Sequence, residues 1–201
     1  PNPGGGQLRE RPIREGGEMF GSKRTIAVLF MVVVAVLAGV GTAAGAEPAD
    51  EHCVVEVIDQ LDTGEFVLSD PVCFGTFAEA AWFASSGAVA LDSDVTPADL
   101  AHLPVIAVVL STFTLGVHYD GYSGGGSSIS VVGSSCSGGY WNTLPAWDNR
   151  ISSTWNGCYR VKHHDHPAMG GAYRSTVGTG SVHNVPSALD NKAESISYWS
   201  S

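Results

Sequence analysis

The sequence predicts a mainly β protein, a two-Greek-key β-sandwich preceded by a small acidic α+β segment. Three observations support this fold class. Short β-branched runs between Gly/Ser turns fill the second half of the chain, as in antiparallel sandwiches. Several landmarks also recur 45 residues later, which indicates one supersecondary unit used twice: Asp120, Gly125, Gly126, Val132 and Gly133 return as Asp165, Gly170, Gly171, Val177 and Gly178. Finally, residues 47–117 hold twelve Asp/Glu and no Lys or Arg, whereas residues 118–201 hold five of each sign.

The first residues indicate export. Residues 1–18 have no apolar period and are interpreted as an upstream extension outside the native chain. A basic pair, an apolar run and small residues follow Met19, and this order predicts a signal peptide over 19–46. The alternative is an uncleaved membrane anchor, because the uncharged run is about long enough to span a bilayer. We expect a secreted, extracellular protein that is free of the membrane after cleavage.

Four cysteines lie in the exported part, and an even number there predicts two disulfides. We favour the local pairs Cys53–Cys73 and Cys136–Cys158, although four cysteines allow three pairings. Each closed loop would contribute roughly 3 kcal/mol in the chain-entropy model.

Residues 47–111 are interpreted as an acidic accessory region. A strand is expected at 53–58, with residues 65–68 returning beside it after a turn. Its charge excludes nucleic acid as a partner, since phosphate binding needs Lys or Arg.

Two helix starts are also expected in this region. Thr76 and Glu79 have the spacing of a capping box, so a short helix should run to Ser85. A second helix should begin at Pro97 and end before Pro104.

The domain predicted over 112–201 has strands at 117–119, 128–132 and 159–161. Its aromatic residues are expected to form the sandwich core: Tyr140, Trp141, Trp147, Trp155, Tyr159, Tyr198 and Trp199.

Two six-residue stretches carry the clearest chemistry. Asp148–Ser153 and Asp190–Ser195 both place oxygen donors and free carbonyls close together, which suits Ca²⁺ with its six to eight oxygen ligands. They resemble the calcium loops of βγ-crystallin domains, whose motif is Asn/Asp, Asn/Asp, any, any, Ser/Thr, Ser. The first stretch fits at every fixed position, while the second has Glu194 where the family has Ser or Thr. The hairpin at Tyr119–Gly124 also resembles that of the family.

The resemblance implies two calcium sites. The first and fifth loop residues would offer side-chain oxygens and the third its carbonyl, and an acid of each hairpin would lie beside them. In this chain these residues are Asp148, Arg150, Ser152, Asp190, Lys192 and Glu194, with Asp120 and Asp165 in the hairpins. The alternative is that the loops are structural braces, in which Asp148 and Asn149 form only an Asx turn.

Two further motifs indicate a function less strongly. Gly121–Gly125 matches the Gly-x-Ser-x-Gly pattern of serine hydrolases, but a strand-like run follows it, so a hairpin turn is favoured. His163, His164 and His166 could ligate zinc, but adjacent strand residues point to opposite faces. We therefore favour a solvated or edge-strand histidine run.

These patterns predict a secreted, monomeric, non-enzymatic calcium-binding protein in which the ion stabilises the fold. Two alternatives use the same scaffold, a peptidase (metalloprotease) inhibitor with an extracellular protease as its partner, and a toxin-like protein. An inhibitor needs a rigid exposed loop, and the nearest candidate is Asn156–Gly157 beside Cys158.

Overall fold

The computed structural model describes residues 50–103, 106, 109–110, 112 and 114–201. The predicted signal peptide and the upstream extension lie outside this part. The described part is mainly β, with eleven strands in two sheets and one α-helix. None of its helices is long and apolar enough to cross a membrane.

The elements follow one another along the chain in this order. The strands are β1 His52–Gln60, β2 Phe66–Leu68, β3 Val72–Phe74, β4 Thr114–Tyr119, β5 Ser128–Val132, β6 Ser137–Asn142, β7 Ser153–Asn156, β8 Arg160–His164, β9 Tyr173–Val177, β10 Val182–Asn184 and β11 Ser195–Trp199. The helix α1 is Phe77–Ala84, and short 3₁₀ helices cover Pro97–His102 and Tyr122–Gly124.

The two sheets exchange strands. The large sheet has the order β10-β7-β4-β5-β1-β2, with β3 pairing β1, and the small sheet has the order β6-β11-β8-β9. We call β4–β7 the first repeat and β8–β11 the second. The third strand of each repeat, β6 or β10, lies in the sheet that holds the other three strands of its partner repeat. The repeats are therefore interlocked rather than joined end to end.

The acidic region is part of the large sheet. The expected strand at 53–58 is confirmed as β1, and β2 returns antiparallel beside it. The other edge of β1 pairs parallel with β5, residue 52 facing residue 128. The sheet thus continues across the predicted end of the accessory region at residue 111 and across the change in charge near Leu115.

Both predicted disulfides are confirmed. Cys53 on β1 lies directly opposite Cys73 on β3 and is bonded to it. Cys136–Cys158 joins the segment before β6 to the turn before β8. One disulfide therefore fastens the accessory strands, and the other fastens the junction of the two repeats.

Helix α1 begins as its capping signal predicts. The Thr76 hydroxyl accepts the Glu79 N–H at 3.3 Å and donates to the Glu79 carboxylate at 2.9 Å. The buried residues of the helix are Phe77 and four alanines. The second helix also begins at Pro97 and ends before Pro104, but it is a 3₁₀ helix.

The large sheet is covered on both faces, which is why β4 is buried along its whole length. One core lies between the two sheets and includes Leu115, Ile129, Trp141, Ile151, Val161, Ile196 and Tyr198. The other lies between the large sheet and the helical segment and includes Phe77, Leu100, Leu110, Val117, Tyr119 and Trp155. The expectation of an aromatic core is confirmed for most members of the set. It is wrong for Tyr159, which is 46% exposed in the turn before β8.

Candidate functional site

The two motif loops have the same backbone shape. The first connects β6 to β7 and the second connects β10 to β11. Asn149 and Asn191 occupy the same loop position with φ values of 57° and 53°, a left-handed conformation that asparagine adopts more readily than most residues. The residue after each asparagine donates its N–H to the carbonyl three positions back, at 3.3 Å in the first loop and 3.1 Å in the second. The sequence repeat is therefore a repeat of structure.

The loops lie against each other. The Asn149 N–H donates to the Ala193 carbonyl at 3.3 Å, and the Asn191 N–H donates to the Ile151 carbonyl at 3.1 Å. Both acceptor residues are fully buried. This reciprocal pairing makes the two loops one unit, so that oxygens from one loop lie beside oxygens from the other.

The last serine of each loop fastens a hairpin. Ser153 Oγ donates to the Gly121 carbonyl at 2.6 Å and accepts the Gly124 N–H at 3.0 Å. Ser195 makes the equivalent two contacts in the second repeat, at 2.7 Å and 3.1 Å. The sixth motif position is thus structural in both loops.

Asp190, Asn191 and Ser152 form what we call the second oxygen cluster. Ser152 is 2% exposed and comes from the opposite loop, and its hydroxyl donates to Asn191 Oδ1 at 3.2 Å. Asp190 Oδ2 accepts a hydrogen bond from the Tyr122 hydroxyl. Asp190 Oδ1 is buried and has no hydrogen-bond partner within the described part of the chain. An unpartnered buried carboxylate oxygen is costly, and a bound cation would satisfy it.

Asp148, Thr143 and the Glu194 carbonyl form the first oxygen cluster. Thr143 Oγ1 lies 3.1 Å from Asp148 Oδ1 and 3.1 Å from the Glu194 carbonyl oxygen. Asp148 Oδ2 accepts from the Asn149 side-chain amide at 3.1 Å. This cluster again combines both loops, but Asp148 is exposed and both of its carboxylate oxygens have partners.

A protein cation lies beside the first loop. Arg150 Nη2 is 2.6 Å from Asp120 Oδ2, Nη1 donates to the Ala146 carbonyl at 2.7 Å, and the guanidinium stacks 4.9 Å above the Trp147 ring. The predicted hairpin ligand Asp120 is therefore already paired with a positive charge. Its other oxygen packs against Gly126, whose φ of +76° and missing side chain leave room for the carboxylate.

The second hairpin acid has a weaker partner. Asp165 Oδ1 is buried and has no hydrogen-bond partner within the described part of the chain, and its nearest cationic group is Nδ1 of the exposed His166 at 3.4 Å. The Asp165 backbone raises the pKa of that histidine. The hairpin adjoins the second loop, since the Glu194 N–H donates to the His164 carbonyl at 2.8 Å. Lys192, which corresponds to Arg150, is exposed.

The structure thus brings the predicted residues of the two loops together and places the hairpin acids beside them. The loop residues are Asp148, Arg150, Ser152, Asp190, Lys192 and Glu194, and the acids are Asp120 and Asp165.

The interpretation of the histidine run as solvated or edge-strand is wrong for two of its three members. β8 is an interior strand of the small sheet, and His163 is 0% and His164 5% exposed. The two rings point to opposite faces, because strand side chains alternate. His163 faces His118 in the core, with ring centroids 5.9 Å apart, while His164 packs against Tyr173.

Sequence reasoning missed a polar network in the core. His118 Nε2 and the Tyr198 hydroxyl are 2.7 Å apart, Thr154 Oγ1 is 3.1 Å from His118 Nδ1, and the Trp141 indole N–H donates to the Tyr198 hydroxyl at 2.8 Å. Burial, with a smaller contribution from the charge of His163, holds the pKa of His118 well below its usual range. The only sequence signal was that His118 and His163 are 45 residues apart, the repeat period.

Two other predicted segments can now be placed. The Gly-x-Ser-x-Gly pattern lies in the hairpin turn between β4 and β5, as favoured, and contains the 3₁₀ turn at Tyr122–Gly124. Asn156 and Gly157, the candidate inhibitor loop, are both buried. That segment does not offer the exposed loop an inhibitor would need.

No family model, curated protein or solved structure matches this chain.

Proposed function

We propose that this protein is an exported calcium-binding module of the βγ-crystallin type, in which the paired loops hold Ca²⁺ and the ion stabilises the fold. The observation that carries the proposal is the second oxygen cluster. It combines a buried, unpartnered carboxylate oxygen of Asp190 with a buried hydroxyl of Ser152 from the opposite loop. Oxygen donors of this kind suit Ca²⁺, which accepts irregular geometry.

The strand arrangement supports the family assignment. In each repeat the fourth strand pairs with the first, and the first pairs with the second. The third strand crosses to the other sheet. We interpret each repeat as one Greek key whose third strand is exchanged, so the loop before the fourth strand meets its counterpart across a pseudo-twofold axis. Such an axis explains the reciprocal hydrogen bonds of Asn149 and Asn191.

Each site would draw on both loops. The second site would use the Asp190 carboxylate with the Ser152 hydroxyl, and the first would use Asp148 with Glu194. The family pattern adds the carbonyls of Arg150 and Lys192. The disulfides agree with export, since such bonds persist in oxidising compartments.

The experiment is a titration of the metal-free protein with CaCl₂ by calorimetry, together with thermal unfolding. Extracellular calcium modules bind with a Kd of about 10⁻⁴–10⁻³ M. At ten times Kd, an ion that binds only the folded state adds roughly 1.4 kcal/mol per site, or several degrees in Tm for a domain of this size. MgCl₂ is the control, because Mg²⁺ demands tighter octahedral geometry. Heat and Tm that stay unchanged at millimolar Ca²⁺ would show that the loops are structural braces.

A further inference from the structure

A cleft of about 640 Å³ lies between the start of α1, the 3₁₀ helix at Pro97 and the hairpin of the first repeat, and none of its lining residues belongs to either loop. This volume is within the range typical of small-molecule sites, about 300–1,000 Å³. Its walls come from segments far apart in sequence, so the cleft exists only in the folded protein. Neither the calcium motif nor the fold requires it.

The charged lining of the cleft is acidic. Asp50 and Asp94 line it, and no Lys or Arg does. The ion pairs of the described residues join Arg150 to Asp120 and His166 to Asp165, so neither of these two carboxylates has one. The stretch 47–117 contains no Lys or Arg that could supply a partner. The cleft therefore attracts positive charge and carries none of its own.

A buried histidine also borders the cleft. His52 is only 7% exposed, and its Nδ1 is 2.9 Å from Ser128 Oγ. Its Nε2 has no hydrogen-bond partner among the described residues and is the nitrogen left to meet a ligand in the cleft. Burial is the main cause that lowers the pKa of His52, so the ring is neutral at neutral pH and adds no repulsion toward a cation.

Two aromatic rings complete the lining. Phe77 is 3% exposed and meets His52 edge-on, with centroids 5.8 Å apart. Tyr122 is 54% exposed, and its hydroxyl is tied to Asp190, which holds the ring in place. Aromatic faces attract ammonium and guanidinium groups, and the apolar walls can take a hydrocarbon stem.

The spacing of the donors argues against a bare metal ion. In the described part of the chain, three His, Cys, Asp or Glu ligand atoms within 4.8 Å of one another occur only at Glu51, Cys53 and Cys73, and the two cysteines form a disulfide. Asp50, His52 and Asp94 are therefore too far apart to share one ion.

We propose that this cleft binds an organic cation, a guanidinium or alkylammonium group carried on an apolar stem. The Asp50 and Asp94 carboxylates face the charge, Phe77 and Tyr122 hold the stem and the cation face, and His52 Nε2 contributes a hydrogen bond. The cation could be a free small molecule or a basic side chain of a peptide, since both present the same chemistry. The proposal does not depend on calcium binding.

The test is a titration followed by NMR chemical-shift changes, in a chelating buffer so that the calcium loops take no part. The first probe is Nα-acetyl-arginine methylamide, and its control is the matching citrulline derivative, which has nearly the same shape but no charge. We expect the arginine compound to bind, with shift changes at His52 and Phe77, and the citrulline compound not to bind. A pentapeptide with arginine between glycines, titrated in parallel, tells the sources apart, since tighter binding of the peptide indicates a protein ligand.

A pair of variants locates the site. Asp94→Asn removes one lining charge and should weaken binding about fivefold, as expected for one partly solvated ion pair. Asp92→Asn, two residues earlier and outside the lining, should leave binding unchanged. Equal binding of the arginine and citrulline compounds, equal effects of the two variants, or no shift changes with either cationic probe would overturn the proposal.

Discussion

The two repeats share one plan but differ at the points where an ion would bind. The first loop fits the calcium motif at every fixed position, yet its hairpin acid is paired with Arg150 at 2.6 Å and both oxygens of Asp148 have partners. The second loop departs from the motif at Glu194, yet it keeps a buried oxygen of Asp190 without a partner. A better motif match therefore does not mean a more available site. The availability of each loop to a cation depends on which charged and hydrogen-bonding groups the fold places around it.

The same asymmetry appears in the core. His118 and His163 are equivalent by the 45-residue repeat and face each other between the sheets. His118 meets Tyr198 and Thr154, whereas neither ring nitrogen of His163 has a hydrogen-bond partner in the described part of the chain. Burial is the main cause that lowers the pKa of His163 to about 3. A contact with the Arg174 backbone opposes the shift, but its geometry does not make it a hydrogen bond. One histidine is thus part of a network, and its counterpart is an unsatisfied polar group.

The largest expected effect follows from this contrast. The folded-state pKa of His163 is about 3 and its ordinary value 6.5, so the unfolded chain binds more protons between these values. The contribution of the neutral His163 ring to the free energy of unfolding is fully present above pH 6.5. It is lost as the pH falls toward 3. Over that window the loss is at most about 5 kcal/mol.

A pair of variants tests this expectation. His163→Leu should raise the free energy of unfolding by about 1–3 kcal/mol, since it removes an unsatisfied buried group, and should flatten the acid dependence. His118→Leu should destabilise, because Thr154 and Tyr198 lose a partner. Urea unfolding over a pH series measures both. If the two variants change stability in the same direction, then His118 and His163 do not differ in hydrogen bonding as the structure indicates.

The next effect concerns the loops. Asp190→Asn should weaken calcium binding at the second loop on the order of tenfold, since ligand charge tunes calcium affinity. Asp148→Asn should have a smaller effect, because its carboxylate is exposed and already hydrogen-bonded. Asp62→Asn, an exposed change in the β1–β2 turn, is the control for lost charge. Calorimetry with Ca²⁺ ranks the three, and a larger loss for Asp148→Asn would reverse our ordering of the sites.

Local signals explain what the sequence could predict. The cap at Thr76, the strand at 53–58 and the disulfide partners depend on residues close together in the chain, and the structure contains all of them. The spacing of the two loops followed from an internal repeat that needs no knowledge of the fold.

The rest depended on which distant segments meet. The parallel pairing of β1 with β5 joins residues 76 positions apart, and no local pattern announces it. Arg150 was expected to offer only a carbonyl, because the contact of its side chain with Asp120 in the hairpin could not be predicted from spacing. The histidine run was misinterpreted for a similar reason, since the burial of His163 comes from the opposing sheet rather than from β8 itself.

A smaller effect would show how far the Arg150–Asp120 ion pair, rather than the loop motif, limits calcium binding at the first loop. Arg150→Gln should free Asp120 and raise calcium affinity at the first loop about threefold to fivefold, while changing stability without calcium by no more than about 1 kcal/mol, as for other exposed pairs. Lys192→Gln is the matched change in the second loop, where no corresponding pair exists among the described residues. If the lysine variant gains as much affinity as the arginine variant, then the gain comes from general charge rather than from the release of Asp120.

The smallest expected effect concerns the tyrosine hydroxyl that donates a hydrogen bond to Asp190. Tyr122 donates to Asp190 Oδ2, so a cation that binds this carboxylate competes with the tyrosine. Tyr122→Phe keeps the ring and frees the oxygen, and calcium affinity at the second loop should rise by at most about fivefold, the value of one ordinary hydrogen bond.

A second readout uses the wild-type protein. The hydrogen bond to Asp190 raises the pKa of Tyr122, so calcium should lower that pKa toward its ordinary value, as should Asp190→Asn without calcium. A spectrophotometric titration of tyrosine measures this change. If the Tyr122 pKa responds to Asp190→Asn but not to calcium, then the ion does not bind at Asp190, and the second oxygen cluster is a structural contact of the hairpin.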